Sequence, residues 1–155
     1  MIVYIVCVGK LKEAYWRDAL AEYHKRLGRF CRLEIVEVAE SKNTSRAPKD
    51  IERALGEEGD RLLAAIKGTV VVLDPAGKEV TSEDLSALVK GAQDRGETLT
   101  FVIGGSDGLS AAVKARADHT IRFGRITLPH QLCRVVLAEQ IYRAFCIGAG
   151  VLYHK

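Results

Sequence analysis

Phe101-Val102-Ile103-Gly104-Gly105-Ser106-Asp107-Gly108-Leu109-Ser110 reads as the end of a strand, a glycine loop and the opening of a helix. The strand, Leu99–Ile103, is almost continuously apolar. Strands of that kind are covered on both faces, as in a parallel sheet flanked by helices. The glycines let the backbone pass close to a ligand, and the following helix would offer its first amides to a polar or anionic group.

The same alternation extends in both directions. Upstream, Ile2–Val8 is an apolar strand, and Lys10–Leu27 reads as a helix on the spacing of Trp16, Leu20, Tyr23 and Leu27, closed by Gly28. Leu33–Val38 alternates apolar residues with Glu34 and Glu37, the period of a half-buried strand. Ser41–Pro48 is a polar loop leading into a helix with Ile51, Leu55, Leu62 and Ile66 on one face, ended near Gly68. Thr69–Leu73 is a buried strand, and Asp74-Pro75-Ala76-Gly77 reads as a turn. Thr81 or Ser82 caps the next helix, whose apolar face is Leu85, Leu88, Val89 and Ala92, closed by Gly96. Downstream, Leu109–Ala117 is a short helix, Thr120–Phe123 a short strand, and a last helix runs from about His130 to Ile147 before a short tail. Five strands alternating with helices predict one α/β domain over residues 1–155, a parallel sheet covered on both faces. Ligands of such sheets bind outside the carboxyl ends of the strands. Those ends are Val8-Gly9, Leu73-Asp74, Ile103-Gly104 and Phe123-Gly124.

Bulk composition narrows the class. With 48% hydrophobic residues, 28% charged residues and 3 prolines, the chain has the make-up of a folded domain rather than a disordered one. The apolar opening lacks a basic leader and a cleavage site, and no apolar run reaches the roughly 18 residues that suggest a bilayer span. A cytoplasmic location with no membrane partner is therefore expected. Cys7, Cys31, Cys133 and Cys146 include no C-x-x-C pair, which points to free buried thiols and to no metal site. The net charge is +3, and residues His119–Lys155 alone carry +4, from Arg122, Arg125, Arg134, Arg143 and Lys155 against Glu139. Such asymmetry fits a surface that meets a polyanion.

Three segments are candidates for chemistry. The loop after Ile103 is not a phosphate-binding loop, since no lysine followed by serine or threonine closes it, and it lacks the dinucleotide spacing. It does match G-x-S-x-G, so an alternative reading is a serine hydrolase with Ser106 as nucleophile and Asp118 with His119, His130 or His154 as partners. The second segment is Ile126-Thr127-Leu128-Pro129-His130-Gln131-Leu132, a proline-bearing entry into the last helix. The third is the terminal Tyr153-His154-Lys155, which composition alone would leave frayed, though aromatic, imidazole and ammonium groups suit stacking on a base and holding phosphate.

Taken together, the segments Val102-Ile103-Gly104-Gly105-x-x-Gly108-Leu109-Ser110, Thr127-Leu128-Pro129-His130-Gln131-Leu132, Gln140-x-Tyr142-Arg143-Ala144-Phe145 and Tyr153-His154-Lys155 closely resemble the bacterial ribosomal RNA large-subunit methyltransferase H family, of the SPOUT class. Val8-Gly9-Lys10-Leu11-Lys12 and Leu73-Asp74-x-x-Gly77-Lys78 are similar to the same family, so the resemblance runs through the whole chain in order. It implies a C-terminal segment threaded into a trefoil knot, an exception to the rule against knots. It also implies S-adenosyl-L-methionine held in a bent shape, a homodimer, and methylation of N3 of a pseudouridine in 23S ribosomal RNA on the assembled ribosome. The family's cofactor positions fall on Leu73, Gly104, Phe123, Gly124, Arg125, Ile126, Thr127 and Leu128. Its catalytic or RNA-facing positions fall on Arg143, Tyr153 and His154. The chain departs from the family's usual serines and methionine at Phe123-Gly124-Arg125-Ile126, and has Leu152 where a proline is common before the terminal Tyr-His. Backbone contacts to a cofactor survive the first change, and the second leaves the tail less stiff.

Overall fold

A computed structural model describes all residues 1–155. Five strands form one parallel sheet: β1 (Ile2–Val8), β2 (Arg32–Val38), β3 (Thr69–Glu79), β4 (Leu99–Ile103) and β5 (His119–Arg122). Their order across the sheet is β2-β1-β4-β3-β5. The helices are α1 (Ala14–Leu27), α2 (Pro48–Ala65), α3 (Ser82–Asp94), α4 (Ala111–Arg116) and α5 (His130–Gly148).

The two-residue repeat of each strand sorts its side chains between two cores. Val3, Ile5, Cys7, Val71, Leu99, Phe101 and Ile103 face the larger core, closed by α1, α3 and α5. Val6, Val8, Val70, Val72 and Val102 face the smaller one, closed by Leu62 of α2 and Val113 of α4. The central strand β4 is buried along its whole length. Local capping agrees with the sequence at α3, where Thr81 and Asp84 form a reciprocal capping box, and at α2, where Pro48 opens the helix.

Beyond one-residue shifts at β2 and β5, four departures from expectation have a tertiary or local reason. Lys10–Glu13 is not helical: the Leu11 amide donates to the Glu37 carboxylate at 3.1 Å, and α1 starts only at Ala14. The buried face of α2 is Ala54, Glu58, Gly59 and Leu62; Leu55 and Ile66 are only half-buried. Gly59 turns that face because a Cβ there would strike the Ser110 hydroxyl at 2.3 Å. The short helix α4 begins at Ala111, since Leu109 is drawn into the smaller core and Ser110 caps the helix through the Val113 amide. Asp74–Gly77 is an excursion inside β3: Leu73 and Lys78 both face Ile121, and the four residues between them loop out. Gly77 permits this, because a Cβ there would lie 2.7 Å from backbone atoms of Ile121.

α5 sits far from the strand that precedes it. β5 is the edge strand beside β3, yet Arg134 of α5 bonds to the carboxyl end of β1. The segment 123–129 must therefore cross the carboxyl ends of β3 and β4.

Candidate active site at the carboxyl ends of the strands

The fold gathers the predicted cofactor residues on neighbouring strand ends. Leu73 faces Ile121, one step beyond the Val72–Val102 pair. Gly104 follows Ile103 on β4, and Phe123 follows Arg122 on β5. In the loop that comes next, Arg125, Ile126 and Thr127 are exposed, while Phe123, Gly124 and Leu128 are half-buried. The backbone amides and carbonyls of residues 124–128 make no hydrogen bond to other backbone groups of the chain. Ile126 is 85% exposed, a large apolar side chain with nothing over it. These residues fit an adenosyl group, which offers polar edges to free backbone groups and an apolar ring face to Ile126 and Leu128.

Gly104 is required by the loop itself. The close neighbour is the loop's own backbone: a Cβ at Gly104 would lie 2.5 Å from the Gly108 carbonyl oxygen. The loop closes through a Gly105–Gly108 bridge and is tied to the segment before α2 by an Arg46–Asp107 ion pair at 2.8 Å. At the start of α4, Ser110 takes the Val113 amide, and the helix has only six residues.

The second group of predicted residues comes together by a reversal of the chain. After α5 the tail doubles back along the helix. The Tyr153 hydroxyl donates to Glu139 Oε1 at 3.1 Å, and the Arg143 guanidinium lies 4.8 Å above the Tyr153 ring and pairs with the same Glu139 carboxylate. Arg143 also donates to His154 Nδ1 at 3.2 Å, and His154 Nε2 meets Glu83 Oε1 at 2.8 Å. A guanidinium cannot accept a hydrogen bond. The network therefore makes Nδ1 the acceptor and puts the ring proton on Nε2, facing Glu83. Burial, then the adjacent Glu139 carboxylate, push the Tyr153 phenol above its ordinary value. The tail is thus docked rather than frayed.

The hydrolase constellation is not assembled. Ser106 is exposed. Asp118 accepts from the Val70 amide at 2.8 Å, which holds its carboxyl below the usual range. His119 stands at the amino end of β5, the wrong end for Ser106. His130 is the first residue of α5, where burial and then Arg134 depress its pKa, and His154 is held by Arg143 and Glu83. The cysteines are free, as expected, and burial raises the thiols of Cys7, Cys31 and Cys133 to about 11, which keeps them protonated and inert. No group of three potential metal ligands occurs, and no helix is long and apolar enough to cross a membrane.

Arg134 escaped the sequence reading except as one of the basic residues of the last quarter. It is 1% exposed, donates to the Val8 and Gly9 carbonyls at 2.6 and 2.8 Å, and pairs with Glu37 at 2.9 Å. Its Nε has no partner. The side chain pins the first turns of α5 to the ends of β1 and β2, directly after the loop that fits the adenosyl group. Its only sequence signal is an arginine in an otherwise apolar stretch, Leu132-Cys133-Arg134-Val135-Val136-Leu137.

Sheet order, strand-end loops and docked tail define a class. The model of the family described as predicted SPOUT methyltransferase matches residues 1–154. Solved structures with the same fold include a probable methylase family protein from Haemophilus influenzae, at TM-score 0.58 and 12% identity over 99% of this chain and 70% of that one. Another is the tRNA (m1G37) methyltransferase from Aquifex aeolicus, at TM-score 0.56 and 16% identity over 99% of this chain and 73% of that one. Among curated relatives, proteins named ribosomal RNA large subunit methyltransferase H from Levilactobacillus brevis and Streptococcus gordonii are 51% and 48% identical, each over 100% of both chains. The chain belongs to the SPOUT methyltransferases, and among them to the family of ribosomal RNA large subunit methyltransferase H.

Proposed function

We propose that this protein transfers a methyl group from S-adenosyl-L-methionine to N3 of a pseudouridine in 23S ribosomal RNA, acting in the cytoplasm on the assembled ribosome as a homodimer. The observation that carries the reading is the return of Tyr153 and His154 onto Arg143, which gathers a ring, an imidazole and a guanidinium at one place on α5. Full-length identity near one half to proteins named ribosomal RNA large subunit methyltransferase H supports the substrate class.

The bound cofactor would supply a methyl group already activated on a sulfonium. Leu73, Gly104, Phe123, Gly124, Arg125, Ile126, Thr127 and Leu128 would hold it, mainly through the free backbone of 124–128. The protein's remaining task is to place the base in line and to take the N3 proton, and positioning of this kind accounts for much of the rate. Tyr153 stacks on the base, Arg143 holds a phosphate or a base carbonyl, and His154 Nδ1 accepts the proton once Arg143 turns to the RNA.

The trefoil knot belongs to the same proposal; the crossing of segment 123–129 over the ends of β3 and β4 supports it. A second copy is supported by α5 itself. Leu137, Ile141 and Phe145 point inward, while Leu132, Val135 and Val136 on the other side remain only half-buried. A helix that is apolar all round is normally covered all round.

The test is transfer of label from methyl-labelled S-adenosyl-L-methionine to ribosomes from cells lacking the modification. Digestion of the RNA should yield labelled N3-methylpseudouridine. Unlabelled RNA, or label on another atom, would refute the assignment.

A further inference from the structure

The last turn of α1 and the turn into β2 form a second basic segment: Lys25, Arg26, Arg29 and Arg32 lie within residues 24–32, which contain no acid. The fold sets this segment against the tail cluster, with Tyr142 as the joint. The Tyr142 ring meets the Tyr153 ring edge-on at 4.8 Å. It faces the guanidinium of Arg26 at 5.9 Å and that of Arg29 at 5.8 Å. Arg29 also lies 4.6 Å over the Phe30 ring and donates to the Tyr142 hydroxyl at 3.4 Å. Cations and rings therefore form one continuous row from His154 through Arg143, Tyr153 and Tyr142 to Arg29 and Phe30.

The members of this row are not equally free. Arg26 is tied to Glu22 at 2.9 Å and Arg32 to Glu34 at 2.5 Å. Arg29 is exposed and has no carboxylate partner. It borders an open groove of about 760 Å³ whose walls include Met1, His24, Phe30, Arg32 and Glu34. A guanidinium held over a ring and without a carboxylate partner is set for a bidentate phosphate contact.

We propose that this groove is a second RNA contact, with Arg29 on a backbone phosphate of the strand that carries the target base and Phe30 and Tyr142 backing it. The inference rests on the reading of Arg143, Tyr153 and His154 as the RNA-facing end, because the groove continues that row along α5 toward the amino end of the sheet.

The experiment measures binding of the full-length protein to purified unmethylated ribosomes across a salt series, for wild type, Arg29→Ala, Arg29→Glu and Arg143→Ala. One phosphate contact fewer lowers the slope of log affinity against log salt by about one in Arg29→Ala. Arg29→Glu should weaken binding at least ~10-fold at moderate salt, since it adds repulsion to the lost contact. The loss should fall on KM for ribosomes, while S-adenosyl-L-methionine affinity, melting temperature and oligomer mass match wild type. Unchanged affinity and slope in both Arg29 variants, with methylation still abolished by Arg143→Ala, would overturn the groove and leave the tail reading standing. Wild-type binding that ignores salt would overturn both. A changed oligomer mass in Arg29→Glu would make the groove a contact between copies and overturn it as an RNA site.

Discussion

Gly104→Ala is a small change whose effect follows from the geometry. The added Cβ would lie 2.5 Å from the Gly108 oxygen, and ordinary contact begins at 3.4 Å, so the loop must open by about 0.9 Å. Gly104 cannot retreat instead, because it continues β4, which is buried throughout. Overpacking of this size costs about 1–3 kcal/mol, or roughly 4–8 °C in Tm for about 2 kcal/mol in a chain of this length. A displacement near 1 Å at a site that works by positioning costs on the order of 10²-fold in rate. Thermal melts, calorimetry with S-adenosyl-L-methionine and single-turnover methyl transfer on ribosomes read the three quantities. A lowered Tm with unchanged cofactor affinity and turnover would refute the placement of the cofactor beside this loop. An unchanged Tm would refute the steric argument itself.

Three further outcomes are expected. Ser106→Ala should leave methyl transfer within about twofold, because Ser106 is exposed and no base faces it; a loss of several orders of magnitude in the ribosome assay would revive the hydrolase reading. Deleting Tyr153–Lys155 should abolish methylation while cofactor affinity stays within a few-fold; if sites are shared between subunits, mixing this variant with Gly104→Val should restore part of the activity, and no recovery in verified heterodimers would mean each site lies within one chain. Asp74, although burial raises its pKa, is held below the ordinary value by the Ala76 amide and by Lys114 at 3.0 Å. A depressed carboxyl stabilises the fold above its unfolded pKa and loses that contribution as pH falls. Asp74→Asn should therefore lower Tm by about 3 °C at pH 7, with the gap closing below about pH 4. A gap independent of pH would show that the charge is not what Asp74 contributes.

The sheet was readable because each strand carries its own signal. Ile2–Val8 and Leu99–Ile103 are apolar runs between punctuating residues, and both strands have those bounds. The misread positions depend on distant partners. Nothing near Lys10 says that Glu37 will take the Leu11 amide, and nothing near Leu55 says that Ser110 will turn Gly59 inward. The site divides the same way. Arg143, Tyr153 and His154 were found through family motifs, because residues 10 and 11 apart across a chain reversal share no period. A buried arginine such as Arg134 makes sense only once the carbonyls of Val8 and Gly9, at and just past the end of β1, and a carboxylate from β2 stand around it.

Those bonds of Arg134 also bear on the lifetime of the folded state. They join residues 97, 125 and 126 positions apart, so they close some of the longest loops in the chain. Closing such loops is entropically costly, which sets them late on the folding path. Interactions absent from the folding transition state slow unfolding while leaving the folding rate almost untouched. On this reasoning Arg134 would act as a latch on escape, slowing the release of a seated α5 more than it speeds the seating.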